Sequence, residues 1–235
     1  MPRRVRRSAA FLLIVLLPSA ACSAEGRPEP VPKPLDPSRP QVVLVHGIWD
    51  TAAKFDKMSA ALMDAGWQPQ AISLTPNDAS VTLERSAGQL RKFIEERLGP
   101  DLQFSMVAFS MGGLVARYYL QRLDGLRRLK RLVTISTPHH GTWTAHFDAL
   151  PGAVEMRPDS LFLEDLNSDI MMLSAFPVTT IWSPQDIGIQ PPDSSRLPLG
   201  SNVIIPNGRH AAMLTDDRVI HAVLAALTQQ SRDRE

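Results

Sequence analysis

Ala108-Phe109-Ser110-Met111-Gly112-Gly113 is the stretch of the chain best suited to chemistry. Phe104-Ser105-Met106-Val107-Ala108 reads as a strand, a helical pattern begins near Gly112, and no spacer separates the two. A serine on such a junction sits on a tight, strained turn that exposes its hydroxyl, and its neighbours two places away must be small. The chemistry is that of an activated nucleophile, a hydroxyl that attacks a carbonyl and carries the acyl group as a covalent intermediate. The plainer reading, a serine capping a helix, leaves the preceding strand and the paired glycines unexplained. His139-His140 is the other conspicuous group, within Ser136-Thr137-Pro138-His139-His140-Gly141-Thr142. Two adjacent imidazoles without a third ligand or a spaced acid make a poor metal site.

The elements around Ser110 alternate. Val42-Val43-Leu44-Val45 is a short apolar run of the kind found in buried parallel strands. Residues 54–65 carry Phe55, Met58, Leu62 and Ala65 at helical spacing, with Gly66 as a stop. Gln70-Ala71-Ile72-Ser73-Leu74 reads as a second strand, and residues 82–98 as an amphipathic helix closed by Gly99-Pro100. After a helix over about 112–123, further strands are expected at Leu132-Val133-Thr134-Ile135, Val178-Thr179-Thr180-Ile181-Trp182 and Asn202-Val203-Ile204-Ile205, then a helix over 215–228. Such alternation predicts an α/β domain, a mostly parallel sheet with helices on both faces. Ligands of such sheets bind at the carboxyl ends of the strands.

With His46-Gly47-Ile48-Trp49 closing the first strand and Ser110 on its turn, residues 41–230 resemble the α/β-hydrolase superfamily, and within it the small bacterial serine lipases and esterases. Ala108 stands where many members have glycine. The resemblance implies an α/β-hydrolase fold with a small cap and an oxyanion hole made by the backbone N–H groups of Ile48 and Met111. It also implies the order serine, acid, histidine, which places the acid at Asp186 after the strand ending at Trp182, and the base at His210 in Asn207-Gly208-Arg209-His210. Asp193, beyond Pro191-Pro192, is the alternative acid; His221, inside a helical stretch, and His46 are alternative bases. By the same resemblance His46 is a structural loop residue, and the loop with His139 and His140 helps line the site. Residues 153–167 look like a helical cap, which is either ordinary packing or a mobile lid. The implied activity is that of a carboxylic-ester hydrolase working through an acyl-enzyme on Ser110, on an ester or lipid substrate, with no metal or organic cofactor. An acyltransferase or thioesterase with the same residues is the alternative enzyme, and a non-catalytic envelope protein of hydrolase fold is the alternative outside enzymes.

The chain has 25 basic and 24 acidic side chains, but Arg3, Arg4, Arg6 and Arg7 crowd into the first seven residues. The rest of the chain lacks the concentrated positive charge that nucleic-acid binding needs. Residues 1–21 read as a signal peptide: a basic start, an apolar run from Ala9 to Leu17, then Ser19-Ala20-Ala21. Nine apolar residues rise about 14 Å as a helix, short of a ~30 Å membrane core. Cys22, the single cysteine, excludes an internal disulfide framework. Its setting in Leu17-Pro18-Ser19-Ala20-Ala21-Cys22 resembles a bacterial lipobox, although Ser19 replaces the usual large aliphatic residue. Residues 22–40 read as a spacer, with six prolines between Glu25 and Pro40 that favour extended backbone. The expected product is exported, either as an envelope lipoprotein anchored through a lipidated Cys22 or as a secreted protein.

Overall fold

The computed structural model describes residues 35–228. Six parallel strands form one sheet: β1 Gln41–Val45, β2 Gln68–Ile72, β3 Phe104–Phe109, β4 Leu129–Ile135, β5 Val178–Trp182 and β6 Ser201–Ile204, in the order β2-β1-β3-β4-β5-β6. The α/β reading therefore holds, and the central strands β1 and β3 are buried along their whole length. Strand periodicity sends alternate residues to opposite layers. Val43, Val45, Met106 and Ala108 pack with α2 Leu83–Leu98 and α3 Met111–Arg122. Val42, Leu44, Val107 and Phe109 pack with α1 Asp56–Asp64 and α6 Asp217–Thr228.

Element ends depart from the sequence reading where a local feature overrides the pattern. β2 begins at Gln68, two residues earlier than expected, and includes Pro69, which a sheet edge accommodates because one side of the strand is unpaired. The helix read over 54–65 opens as a 3-10 turn, Ala52–Phe55, before α1. The last residues of the proline-rich stretch are already tied to the body: the Arg39 guanidinium donates to the carbonyls of Met63, Gly66 and Trp67 at 2.9–3.0 Å.

The expected cap is two short helices, α4 Pro151–Glu155 and α5 Leu161–Ser168, parted at Pro158. It is fastened to the body at both ends. On one side the Gly152 N–H donates to Ala79 O (2.9 Å) and the Leu83 N–H, first of α2, donates to Glu155 Oε2 (2.6 Å). On the other, Arg122 pairs with Asp165 and Asp169, and the Arg117 and Gln121 side chains both donate to Leu166 O. Burial pushes the pKa of Glu155 up, the Leu83 N–H opposes this, and the adjacent Glu84 carboxyl raises it again, to about 7.

A carboxyl raised in the folded state binds its proton more tightly there than in the unfolded chain, so stability falls as pH climbs from the ordinary carboxylate range to about 7. Glu155→Gln keeps an acceptor for Leu83 and removes the titration. The melting temperature of this variant is expected to gain on the wild type between about pH 5 and about pH 8; parallel melting curves across that range contradict the assignment.

Candidate active site

β3 ends at Phe109, α3 starts at Met111, and Ser110 makes the whole connection with φ 52 and ψ −128. Positive φ is costly for a residue with a side chain and persists only where its surroundings dictate it. Those surroundings are explicit. The Ser110 N–H donates to Ile135 O (2.9 Å), continuing the β3–β4 ladder, and the Ser110 carbonyl accepts from the Gly113 N–H (3.0 Å). A Cβ on Gly112 would lie 2.2 Å from His46 O, and one on Gly113 would lie 2.0 Å from Thr137 Oγ1. The helix start is thus wedged between the loops that follow β1 and β4, which explains why two glycines succeed Ser110 and Met111.

Ser110 does not stand exposed as the turn suggested: only 5% of its surface is accessible. Gly47 packs against it, and the His210 ring covers the hydroxyl. His210 Nε2 lies 2.9 Å from Ser110 Oγ, and His210 Nδ1 lies 2.9 Å from Asp186 Oδ2. The carboxylate can only accept, so Nδ1 carries the proton, and Nε2 is left to accept from the serine hydroxyl. Phe109 flanks the ring at 4.9 Å between centroids. Gly188 flanks it too, since a Cβ there would meet His210 Cγ at 2.5 Å.

Asp186, in the loop after β5, is 1% exposed. Its Oδ1 accepts from the backbone N–H groups of Gly188 (2.8 Å) and Ile189 (3.4 Å). Burial pushes the carboxyl up, but the hydrogen bond and charge of His210, with the Gly188 N–H, outweigh it and hold Asp186 below the ordinary carboxylate range. The loops that carry Asp186 and His210 are also stitched together. Ser183 Oγ accepts from the Gly208 N–H (3.0 Å), and Gln185 Oε1 accepts from the Asn207 N–H (2.9 Å).

The alternative residues lie elsewhere. Asp193 is exposed in a 3-10 turn, and His221 is exposed on α6. His46 is wholly buried; its Nε2 accepts from the Leu74 N–H (2.9 Å), its Nδ1 lies 2.7 Å from Gly47 O, and burial disfavours its charged form. It pins the loop after β1. His139 is wholly buried between Thr134 Oγ1 (3.0 Å) and the Arg117 guanidinium (3.5 Å), and burial followed by that nearby cation holds it neutral. Ile48 and Met111 directly follow Gly47 and Ser110, the two residues that pack against each other. Among the described residues, no hydrogen-bond acceptor takes the N–H of either, whereas the next amide, Trp49, donates to Asn77 O (2.7 Å).

The palmitoyl protein thioesterase family matches residues 41–183, more than half of the chain. The chain belongs to that family. The match runs from β1 through the Ser110 turn and stops short of Asp186 and His210, so their convergence on Ser110 is seen in the three-dimensional structure. Among solved structures, the mature lipase BlEst2 of Bacillus licheniformis is similar at TM-score 0.65 and 18% identity, over 83% of this chain and 96% of that one. A monoacylglycerol lipase of Paleococcus ferrophilus is similar at TM-score 0.64 and 17% identity, over 80% and 93%. A non-heme bromoperoxidase of Mycobacterium tuberculosis, described as putative, reaches 0.65 at 16% identity, over 80% and 91%. At such identities these relatives establish the α/β-hydrolase fold, one that carries several chemistries.

The sequence reading missed two residues that shape the site. Gly188 lets the His210 ring pass; the only signal was a glycine two places after Asp186. Arg117, on α3, is a fully buried guanidinium pushed down to about 9 by burial, and it joins His139, Gln121 and Leu166 O. In sequence it looks like any polar residue on a helix.

Gly112→Ala tests the wedge. Its methyl would press on two backbone carbonyls that cannot turn aside, so unfolding by denaturant is expected to show a loss of ~2 kcal/mol or more. Wild-type stability in this variant would mean that α3 can back away from β1.

Proposed function

We propose that this protein is a serine carboxylic-ester hydrolase of lipase or esterase type, acting through an acyl-enzyme on Ser110. The observation that carries the reading is the unbroken path from Ser110 Oγ through His210 to the buried Asp186 carboxylate, two contacts of 2.9 Å. As Ser110 attacks the ester carbonyl, His210 takes the hydroxyl proton and Asp186 stabilises the resulting imidazolium. Negative charge gathers on the former carbonyl oxygen, and the N–H groups of Ile48 and Met111 are the donors for it; losing one such donor typically costs on the order of 10²–10³ in rate. His210 then returns the proton to the departing alcohol, the bond to that alcohol breaks, and water activated by the same imidazole releases the acid.

Large apolar side chains support an acyl substrate. Trp49, Trp143, Phe147 and Ile187 are exposed, between 59% and 92%, and all lie in segments leaving the carboxyl ends of β1, β4 and β5, where the site is. Exposed apolar groups gathered at one pole mark a contact surface for apolar partners. A second reading, hydrolysis of a fatty thioester by the same steps, is favoured by the family match.

Export belongs to the same proposal. The signal segment, Cys22 and most of the spacer lie outside the described residues. Among the described residues no helix is long and apolar enough to cross a membrane; the proposed anchor is a lipid on Cys22. Mass spectrometry of the mature N-terminal peptide from the native host decides it: a diacylglyceryl mass on Cys22 supports the anchor, and an unmodified N-terminus refutes it.

Ser110→Ala is expected to lower hydrolysis of p-nitrophenyl esters by about 10⁴ or more without lowering the melting temperature, and His210→Ala to do the same. Asp186→Asn should cost somewhat less, since the acid orients and stabilises. Substantial activity in a folded Ser110→Ala variant removes the nucleophile. Comparing matched oxygen esters and thioesters from short to long acyl chains separates the two substrate readings.

A further inference from the structure

β4 ends at Ile135, and the next residue, Ser136, has φ 45. Glycine would adopt that conformation freely, whereas a serine is strained there. The Ser136 N–H donates to Ile181 O (2.9 Å), so the residue is clamped to β5, the strand whose exit loop carries Asp186. Its side chain is wholly buried. The hydroxyl stands beside the Asp186 carboxyl, whose ionised form it favours, yet it is out of hydrogen-bond alignment with any partner.

Both features count against a serine at this place. The backbone would prefer glycine, and a buried hydroxyl without a partner is worse than a methyl group. The neighbourhood gives the hydroxyl one use. Asp186 already receives His210 on Oδ2 and two backbone N–H groups on Oδ1, and His210 is the ionisable group that faces it. A hydroxyl is a free rotor, and a small turn is enough to present its hydrogen to an adjacent carboxylate. That donor would matter most as His210 becomes an imidazolium, because the carboxylate must then stay aimed at Nδ1.

We propose that Ser136 is a positioning residue for Asp186, its hydroxyl donating to the carboxylate as His210 takes the proton of Ser110. It touches neither substrate nor the reacting atoms, and it acts by keeping the acid ionised and aimed. This role rests on the reading of Ser110, His210 and Asp186 as the catalytic set.

Two variants separate the hydroxyl from the backbone. Ser136→Gly removes the hydroxyl and relieves the strain; Ser136→Ala removes the hydroxyl and keeps the strain. The measurements are kcat and KM for a p-nitrophenyl ester across pH, the melting temperature, and labelling by a fluorophosphonate. Both variants are expected to lose about tenfold in kcat at unchanged KM. Both should also shift the acid limb of the kcat profile to higher pH, because a carboxylate deprived of a donor is more basic toward His210 and favours the imidazolium, which cannot take the proton of Ser110. Ser136→Gly should melt at or above the wild type. If Ser136→Gly keeps the wild-type kcat and acid limb, whatever Ser136→Ala does, the residue serves the backbone and the proposal is overturned. If Ser136→Ala fails to fold, Ser136→Gly alone decides between the two roles. A wild-type protein that hydrolyses esters yet is not phosphonylated on Ser110 overturns the catalytic set itself, which is a different failure from a labelled wild type with an indifferent Ser136→Gly.

Discussion

The start of α3 lies so close to the end of β1 that no side chain fits between them. At Gly112 even a methyl group would meet the carbonyl oxygens of Val45 and His46 at 2.6 and 2.2 Å. That approach drives the rest of the site. A chain leaving β3 can enter a helix this close to β1 only by reversing within one residue, and Ser110 takes the positive φ that the reversal needs. The same approach sets Gly47 against Ser110 and Phe109. His46 accepts from the Leu74 N–H, so the loop that carries Gly47 and Ile48 is braced from beneath by a buried histidine.

Around this wedge the fold handles its buried ionisable groups in three ways. Asp186 stays charged in a dry place because the His210 Nδ1–H and two backbone N–H groups point at it. His139 is kept neutral by burial and by the cation beside it. Arg117 has no carboxylate among its hydrogen-bond partners and is held by Gln121, His139 and the carbonyl of Leu166 in the last turn of α5, the helix end that attracts positive charge. That guanidinium links α3, the loop after β4 and the cap. The cap therefore shares its attachments with the elements that carry Ser110 and Ser136, and it is fastened again through Glu155 on the N-terminus of α2.

The fold was legible in the sequence because its central strands are short apolar runs between clear helix signals. Val42–Val45 and Val178–Trp182 needed no tertiary knowledge to recognise, and the Ser110 junction followed from having no residue to spare between strand and helix. Resemblance then supplied Asp186 and His210, which no spacing rule links to Ser110 across 76 and 100 residues of chain. What escaped were features decided by contacts distant in sequence. Pro69 argues against a strand unless the strand is known to be an edge. Ser136 looks like an ordinary loop serine until its positive φ and its place beside Asp186 are seen. Arg117 reads as a surface residue because the carbonyl and the imidazole that satisfy it come from 49 and 22 residues away. The exposure of Ser110 was misjudged for the same reason: the turn does project the hydroxyl, but the His210 ring then covers it.

The proposed role of Ser110 as an activated hydroxyl rests on the wedge at Gly112 and its hydrogen bond to His210. Peptide mapping by mass spectrometry after treatment with a fluorophosphonate tests it directly, because the probe reacts with a hydroxyl that a neighbouring base has activated and leaves a covalent mark. The account predicts a single phosphonyl adduct on Ser110, with adduct formation and loss of ester hydrolysis proceeding at the same rate. An active protein that remains unlabelled, or that is inactivated by an adduct on another residue, would contradict it.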